Sequence, residues 1–516
     1  MKNPFSFLSP KSLKTSSEVL QSRFPLPTII VLITAALFFY VVNRDSPDII
    51  VTRIILSLIT TFFFSIGVTL FTEQKKNANN TLWQVVAVVY GLLFFFSIRH
   101  LTDDYILDSG TFFILHLVGF ISLLFFAPYI GNLYTSGKDV EYTNYFTYTA
   151  WTLLMSAIVG GSLVALGSIA IGSVSELFNL SAFVNRNHLY ENWIIIALSL
   201  VAPLYALTHM PHAEDLSKKS YDTNRFFSFL IRYIATPFIV IYFVILYAYS
   251  VKVLMNFHEW PKGMVSWMVV GFSTFGYLTY IFSKTYEDES STMQVFRKVF
   301  PYLVPAQILM LGYAIYLRID QYDLTMNRYF VVIFGVWLAV ISVYYIISRK
   351  KALTMIPASL TVIALIISVG PWGVYQLPLT RQYNRLIKNL ETTGMLTNGT
   401  ITKKPANLSK DQENNIYSGI EYVCQYDNCE KIETLFAKVL TGKEAEYEKK
   451  WRENSDNEGE TYPGMSSYEI VSEVTKEIGI IYHYGLAGDE EQVNKYISFN
   501  LKESYDDSNI MPLDVA

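Results

Sequence analysis

Pro25-Leu-Pro-Thr-Ile-Ile-Val-Leu-Ile-Thr-Ala-Ala-Leu-Phe-Phe-Tyr-Val-Val42 is eighteen residues long and carries no charge. A run of that length crosses the ~30 Å hydrocarbon core of a bilayer as a helix. A helix is the form expected, because lipid offers no partner to a backbone N–H or C=O. Runs of the same kind follow near 49–71, 81–98, 110–130, 147–173, 191–209, 227–251, 265–283, 301–317, 329–348 and 352–375, about eleven in all. They are continuous rather than alternating, which argues against the strands of a transmembrane barrel. The expected fold is an all-α polytopic transmembrane bundle over 25–375. A short amphipathic segment, 1–24, precedes it. A small soluble domain, α+β or mostly α, follows over 376–516.

Composition supports this division. The chain has 516 residues, 52% apolar and only 16% charged, against about 25% charged in soluble domains. Residues 1–375 hold 25 basic and 20 acidic groups, whereas 376–516 hold 15 and 24. The charge therefore changes sign near Pro378. With the N-terminus placed in the cytoplasm, the inner segments carry sixteen Lys and Arg and the outer loops seven. This bias sets the N-terminus inside, and an odd span count places the acidic C-terminal domain outside.

Ionisable groups within spans are the first functional candidates. Arg53 lies about one turn into the second run, His116 about two turns into the fourth, and Arg232 near the inner end of the seventh. The plain alternative is snorkelling for the arginines and a neutral, hydrogen-bonded imidazole for His116. The fifth run is rich in small residues, Gly160, Gly161, Gly167 and Gly172 among them. These serve either close helix packing or a broken helix along a substrate path. On the outer side, Glu259-Trp-Pro-Lys262 and Arg318-Ile-Asp320-Gln-Tyr-Asp323, with Arg328 beyond, mix carboxylates, cations and aromatics. They are read as an outward-facing cleft or, more plainly, as an interfacial aromatic belt with ion pairs. Asp103 and Asp104 share that face. His209-Met-Pro-His212-Ala-Glu214-Asp215 lacks a second cluster to complete a metal site and reads as a solvated loop.

In the C-terminal domain Asn398-Gly399 marks a hairpin turn, and Ser409 with Gln412 forms a capping box. Ile416, Ile420 and Val423 recur at helical spacing, as do Ile432, Leu435, Phe436 and Val439, and Ile470, Val471, Val474 and Ile478. Ile480, Tyr482 and Tyr484 alternate like a strand, as do Ile497, Phe499 and Leu501. The chain's two cysteines, Cys424 and Cys429, flank a four-residue reversal and are expected to form a disulfide if the domain is external. The alternative is a pair of unrelated small hydrophobes.

Arg23-Phe-Pro-Leu26, the Glu259–Trp267 segment, Arg318 through Leu338, Gly370-Pro-Trp372 and Gly394-Met-Leu-Thr-Asn-Gly399 occur in an order that resembles a family of bacterial polytopic membrane proteins, the domain of unknown function DUF4153. The resemblance covers most of the chain. It implies a bacterial cell membrane and no established activity, so no catalytic residue is carried over. The chain lacks a phosphate loop, an H-E-x-x-H helix and a nucleophile elbow. It also lacks a basic stripe for nucleic acid. No cofactor or metal is expected. The expected partners are membrane lipid and an envelope partner for the C-terminal domain. Three functions compete. The many spans, the small-residue helix and Pro237, Pro305, Pro357 and Pro371 favour a permease-like transporter. The others are a transferase acting on lipid-linked or envelope substrates and a sensor or scaffold.

Overall fold

The structure is a computed structural model, and it describes residues 10–44, 49–75, 79–98, 106–133, 139–212, 228–255, 264–348, 350–397, 399–403, 405, 407–427, 429–454 and 464–483. The chain folds as two compact units that divide between Pro378 and Leu379.

In the first unit the helices run α1 (Pro10–Ser22), α2 (Pro25–Val42), α3 (Ile49–Glu73), α4 (Asn80–Ser97), α5 (Ile106–Leu124), α6 (Asp139–Leu177) and α7 (Ser181–Arg186). They continue with α8 (Leu189–His209), α9 (Leu230–Met255), α10 (Met264–Phe282), α11 (Ser291–Tyr322), α12 (Met326–Ile347) and α13 (Met355–Ile367). Among the described residues, α2, α3, α4, α6, α8, α9, α11 and α12 are the eight long and apolar enough to cross a membrane. The other three apolar runs are helical as well. Two of them fall short of their expected limits. The run expected over 110–130 breaks after Leu124 into a 3-10 turn at Ala127–Asn132, with Pro128 in its first positions. The run expected over 352–375 is helical for thirteen residues, about 20 Å at 1.5 Å per residue. It ends in Gly370-Pro-Trp-Gly373, where Gly370 takes φ +84° and the Gly373 N–H returns to the Gly370 carbonyl at 2.9 Å. A separate helix starts afresh at Gln376.

Polar seams join the spans. Along α3, Ser57, Thr61, Ser65 and Thr69 repeat every four residues and are buried. Ser57 Oγ donates to the Gly91 carbonyl at 2.5 Å, and the Gln84 amide of α4 bonds to Thr69 Oγ1 at 2.8 Å and Ser65 Oγ at 2.5 Å. In hydrocarbon such groups need a partner, and each has one on its own or the facing helix. The long helix α6 is unbroken from Asp139 to Leu177, and two of its glycines, Gly160 and Gly167, serve packing. A Cβ at Gly160 would lie 2.9 Å from Ala202 Cβ of α8. One at Gly167 would lie 1.7 Å from the Trp193 ring nitrogen, which donates to the Leu163 carbonyl at 2.7 Å.

The second unit is mostly α. After α14 (Gln376–Thr392) comes a two-stranded hairpin, Leu396–Thr397 against Thr400–Ile401, antiparallel with Leu396 opposite Ile401. Then follow α15 (Lys410–Asp427), α16 (Glu430–Leu435), α17 (Ala437–Leu440), α18 (Lys443–Asn454) and α19 (Ser467–Ile478). Leu386, Leu390, Ile416, Ile420, Phe436 and Val474 form the centre of its core. Ser409 and Gln412 cap α15 reciprocally, and Ser466 with Glu469 does the same for α19. Cys424 and Cys429 are joined as a disulfide between α15 and α16, and both are buried. The residues from Ile480 to His483 are not a strand. Their backbone bonds to side chains of α15 instead: Asn414 exchanges two hydrogen bonds with His483 at 2.7 and 2.9 Å, and the Glu413 carboxylate accepts the Ile481 N–H at 3.1 Å. Tyr484 and the Ile497–Leu501 segment lie outside the described residues.

Candidate functional site: a lateral groove with a charged mouth

The outer-face candidates fall into three groups. Glu259, Trp260 and Lys262 lie outside the described residues, as do Asp103, Asp104, Glu214 and Asp215. Asp323 and Arg328 are brought together in the turn from α11 to α12. There Asp323 takes φ +57° and its carboxylate accepts the Leu324 N–H at 2.7 Å. Arg328 donates to the Asp323 carbonyl at 2.9 Å and lies over the Tyr322 ring. Both side chains hold the turn. Arg318 is half-buried and Asp320 exposed on the last turn of α11.

The intramembrane candidates separate in role. Arg53 is half-buried at the start of α3. His116 is buried in a ring of Tyr90, Phe94, Phe112 and Phe120, with Nδ1 2.9 Å from the Phe112 carbonyl and Nε2 3.5 Å from Ser368 Oγ. Its surroundings are those of a packed imidazole. Arg232 lies one turn before Thr236, which lines a cavity.

That cavity is a groove of about 460 Å³ between α9 and α11. Ile239, Val240, Phe243 and Val244 form one wall, and Val295, Phe296, Val299 and Phe300 form the other and the floor. Val240, Val244 and Val295 are exposed along it, so the groove is open at the surface of the first unit. Three sequence features shape it. Pro301 and Pro305 lie inside α11 and remove two hydrogen bonds from its ladder. Gly276 of α10 makes room for the floor, since a Cβ there would lie 2.3 Å from Phe300 Cζ. The first turns of α9, Leu230–Ala235, are π-helical, a form that recurs at functional sites. At its far end the groove is closed by Tyr247, whose hydroxyl donates to the Leu303 carbonyl at 2.8 Å.

The near end is polar. Ser291 and Thr292 begin α11 there, facing Thr236 of α9. One turn beyond Thr236, the Arg232 guanidinium bonds to the Glu289 carboxylate and stacks 4.9 Å over the Tyr286 ring. Arg232 is mostly buried, whereas Glu289 is 61% exposed. Sequence reasoning placed Arg232 near the membrane boundary but missed Glu289. The acidic triplet Glu287-Asp-Glu289 just before a span was the available signal.

Two other charge clusters sit at helix ends. Arg23, 8% exposed, meets both Glu73 oxygens at 2.6 and 3.0 Å and donates to the Met210 and Pro211 carbonyls at 2.5 and 3.0 Å. His212 Nδ1 lies 3.7 Å from the same carboxylate. Arg297 meets Glu287 at 3.3 Å and stacks on Tyr280, while Lys284 reaches Glu287 at 2.6 Å. These groups are paired with one another and read as latches. No group of three His, Cys, Asp or Glu side chains among the described residues is placed to hold a metal.

Comparison with known proteins gives two matches. A family model described as a domain of unknown function (DUF4153) matches residues 28–384. An uncharacterized protein of Pasteurella multocida (strain Pm70) is 24% identical over 376 residues, covering 71% of this chain. The chain spans 60% of the length of that curated relative. No solved structure matches.

Proposed function

This chain belongs to the DUF4153 family, and on that premise we propose a permease-like membrane protein that moves an amphipathic, lipid-type molecule. The lateral groove between α9 and α11 carries the reading. A substrate whose apolar part stays among the lipid tails needs no aqueous pore, only a wall that fits it and a polar station for its head. The spans fit such a substrate better than a hydrophilic solute. Their interiors hold no Asp or Glu, the groups that ion-coupled carriers use. The hydroxyls of the α3 seam bond within α3 or to the neighbouring α4 rather than to an open path. The charge bias of the loops supports a bacterial cell membrane orientation with the N-terminus in the cytoplasm and the second unit outside, where an envelope partner would meet it.

Reconstitution tests the reading. Proteoliposomes containing a fluorescent phospholipid are treated with a membrane-impermeant quencher. Wild-type protein is expected to raise the quenched fraction beyond the outer-leaflet share. Val295→Trp and Val299→Trp, which fill the groove, are expected to slow the exchange. No exchange above protein-free vesicles with wild-type protein would overturn the proposal.

A further inference from the structure

We infer that the mouth of the groove recognises a zwitterionic phospholipid headgroup with a primary ammonium, the ethanolamine class, its phosphate on Arg232 and its ammonium on Glu289. This rests on the lipid-substrate reading above and adds the identity of the head.

The dimensions select one lipid in one leaflet. The α11 wall runs from Ser291 to Leu303, about 18 Å at 1.5 Å per residue. Half of the ~30 Å hydrocarbon core is about 15 Å. The charged pair sits at one end of that length and the Tyr247–Leu303 bond at the other. An acyl chain laid along the valines and phenylalanines therefore brings its headgroup to Arg232 and Glu289.

The charges then select the head. Arg232 presents a fork of N–H donors suited to a phosphate, one arm of which holds Glu289. Glu289 is the exposed member of the pair and accepts only. The site is neutral overall with its two signs side by side. A purely anionic head would gain Arg232 and meet repulsion from Glu289. A cationic head would meet the reverse. A zwitterion satisfies both.

The ammonium type follows from the aromatic ring. A quaternary choline has no N–H and is held by aromatic faces. Here the Tyr286 face is already covered by the Arg232 guanidinium. A primary ammonium donates up to three hydrogen bonds, which Glu289 can accept. The Thr236 hydroxyl at the mouth is already engaged, donating to the Ile231 carbonyl at 2.9 Å.

The test measures lipids retained by full-length protein from nanodiscs of equimolar phosphatidylethanolamine, phosphatidylcholine and phosphatidylglycerol. Wild type is expected to retain the ethanolamine lipid about tenfold over either competitor, the least expected of a net charge-assisted hydrogen bond. Arg232→Gln is expected to erase this preference. Glu289→Gln is expected to shift retention towards phosphatidylglycerol, because it removes the repulsion and keeps the guanidinium. A structural defect would not produce that shift, and Glu289 is exposed, so E289Q is expected to fold as the wild type does. Val295→Trp is expected to displace all three lipids. If E289Q leaves the preference unchanged while V295W still displaces lipid, the headgroup assignment fails and the groove stands. If V295W displaces nothing, the groove reading itself fails.

Discussion

Replacing Arg23 by Ala should destabilise the first unit more than any single change at a lipid-facing site. The guanidinium is 8% exposed and makes four polar contacts: two Glu73 oxygens at 2.6 and 3.0 Å and the Met210 and Pro211 carbonyls at 2.5 and 3.0 Å. It thus ties the start of α2 to the ends of α3 and α8. Truncation leaves a carboxylate and two carbonyls without their donor. Breaking one side of a fully buried pair costs about 3–5 kcal/mol. Glu73 is about a quarter exposed and regains some water, so the expected loss is about 2–3 kcal/mol. That is a factor of about 30 or more in the folded-to-unfolded ratio. Equilibrium unfolding in mixed micelles reads the loss directly. A double-mutant cycle with Glu73→Gln should return a coupling of about 1–2 kcal/mol. A loss under about 0.5 kcal/mol, the level of an ordinary surface change, or no coupling to Glu73 would refute the latch.

Three further outcomes follow from particular contacts. Gly167→Ala should cost about 1–3 kcal/mol in thermal stability because it forces Trp193 off its bond to Leu163. Gly161→Ala, with nothing within 4 Å, should be neutral or slightly stabilising. In the second unit, burial raises the Glu473 pKa, but the Lys443 hydrogen bond and the charges of Lys443 and Lys476 outweigh it and hold the carboxyl below its usual range. A depressed folded pKa contributes stability above the unfolded value and loses it as pH falls through the folded one. Acid melting curves of wild type should therefore fall below the usual carboxylate range, and Glu473→Gln should flatten that fall. Finally, alkylation of denatured, unreduced protein should modify neither Cys424 nor Cys429; full modification of both would remove the bridge and weaken the external placement of the second unit.

Much of the fold is legible in the sequence because lipid leaves the chain few choices. Each of the eleven apolar runs contains helix among the described residues, and eight of these helices are long and apolar enough to cross a membrane, where a backbone must bond within itself. The limits of the runs are less legible. Hydropathy counts apolar residues and does not register that Gly370 and Pro371 end α13 early, or that Pro128 diverts the chain after α5. The hairpin of Leu396–Thr397 with Thr400–Ile401 and the Ser409–Gln412 cap were readable because each is set by neighbours a few residues apart. The alternation of Ile480 and Tyr482 misled for the converse reason: a strand needs a partner strand, and the backbone here is held instead through Ile481 and His483 by Glu413 and Asn414, some seventy positions earlier. The site shows the same limit. Arg232 was conspicuous as a charge inside an apolar run. Its meaning depends on Glu289 and on the α11 wall, more than fifty residues away, whose valines are indistinguishable in sequence from those facing lipid elsewhere.

The most direct test of the central claim is photo-crosslinking with a phospholipid carrying a diazirine on its acyl chain, followed by peptide mapping. The groove predicts labelling concentrated on 236–244 of α9 and 291–303 of α11, well above that of α6, where Leu166 and Ile169 are each 66% exposed. Labelling that simply follows exposure, with α6 at the level of α9 and α11, would contradict a specific lipid site.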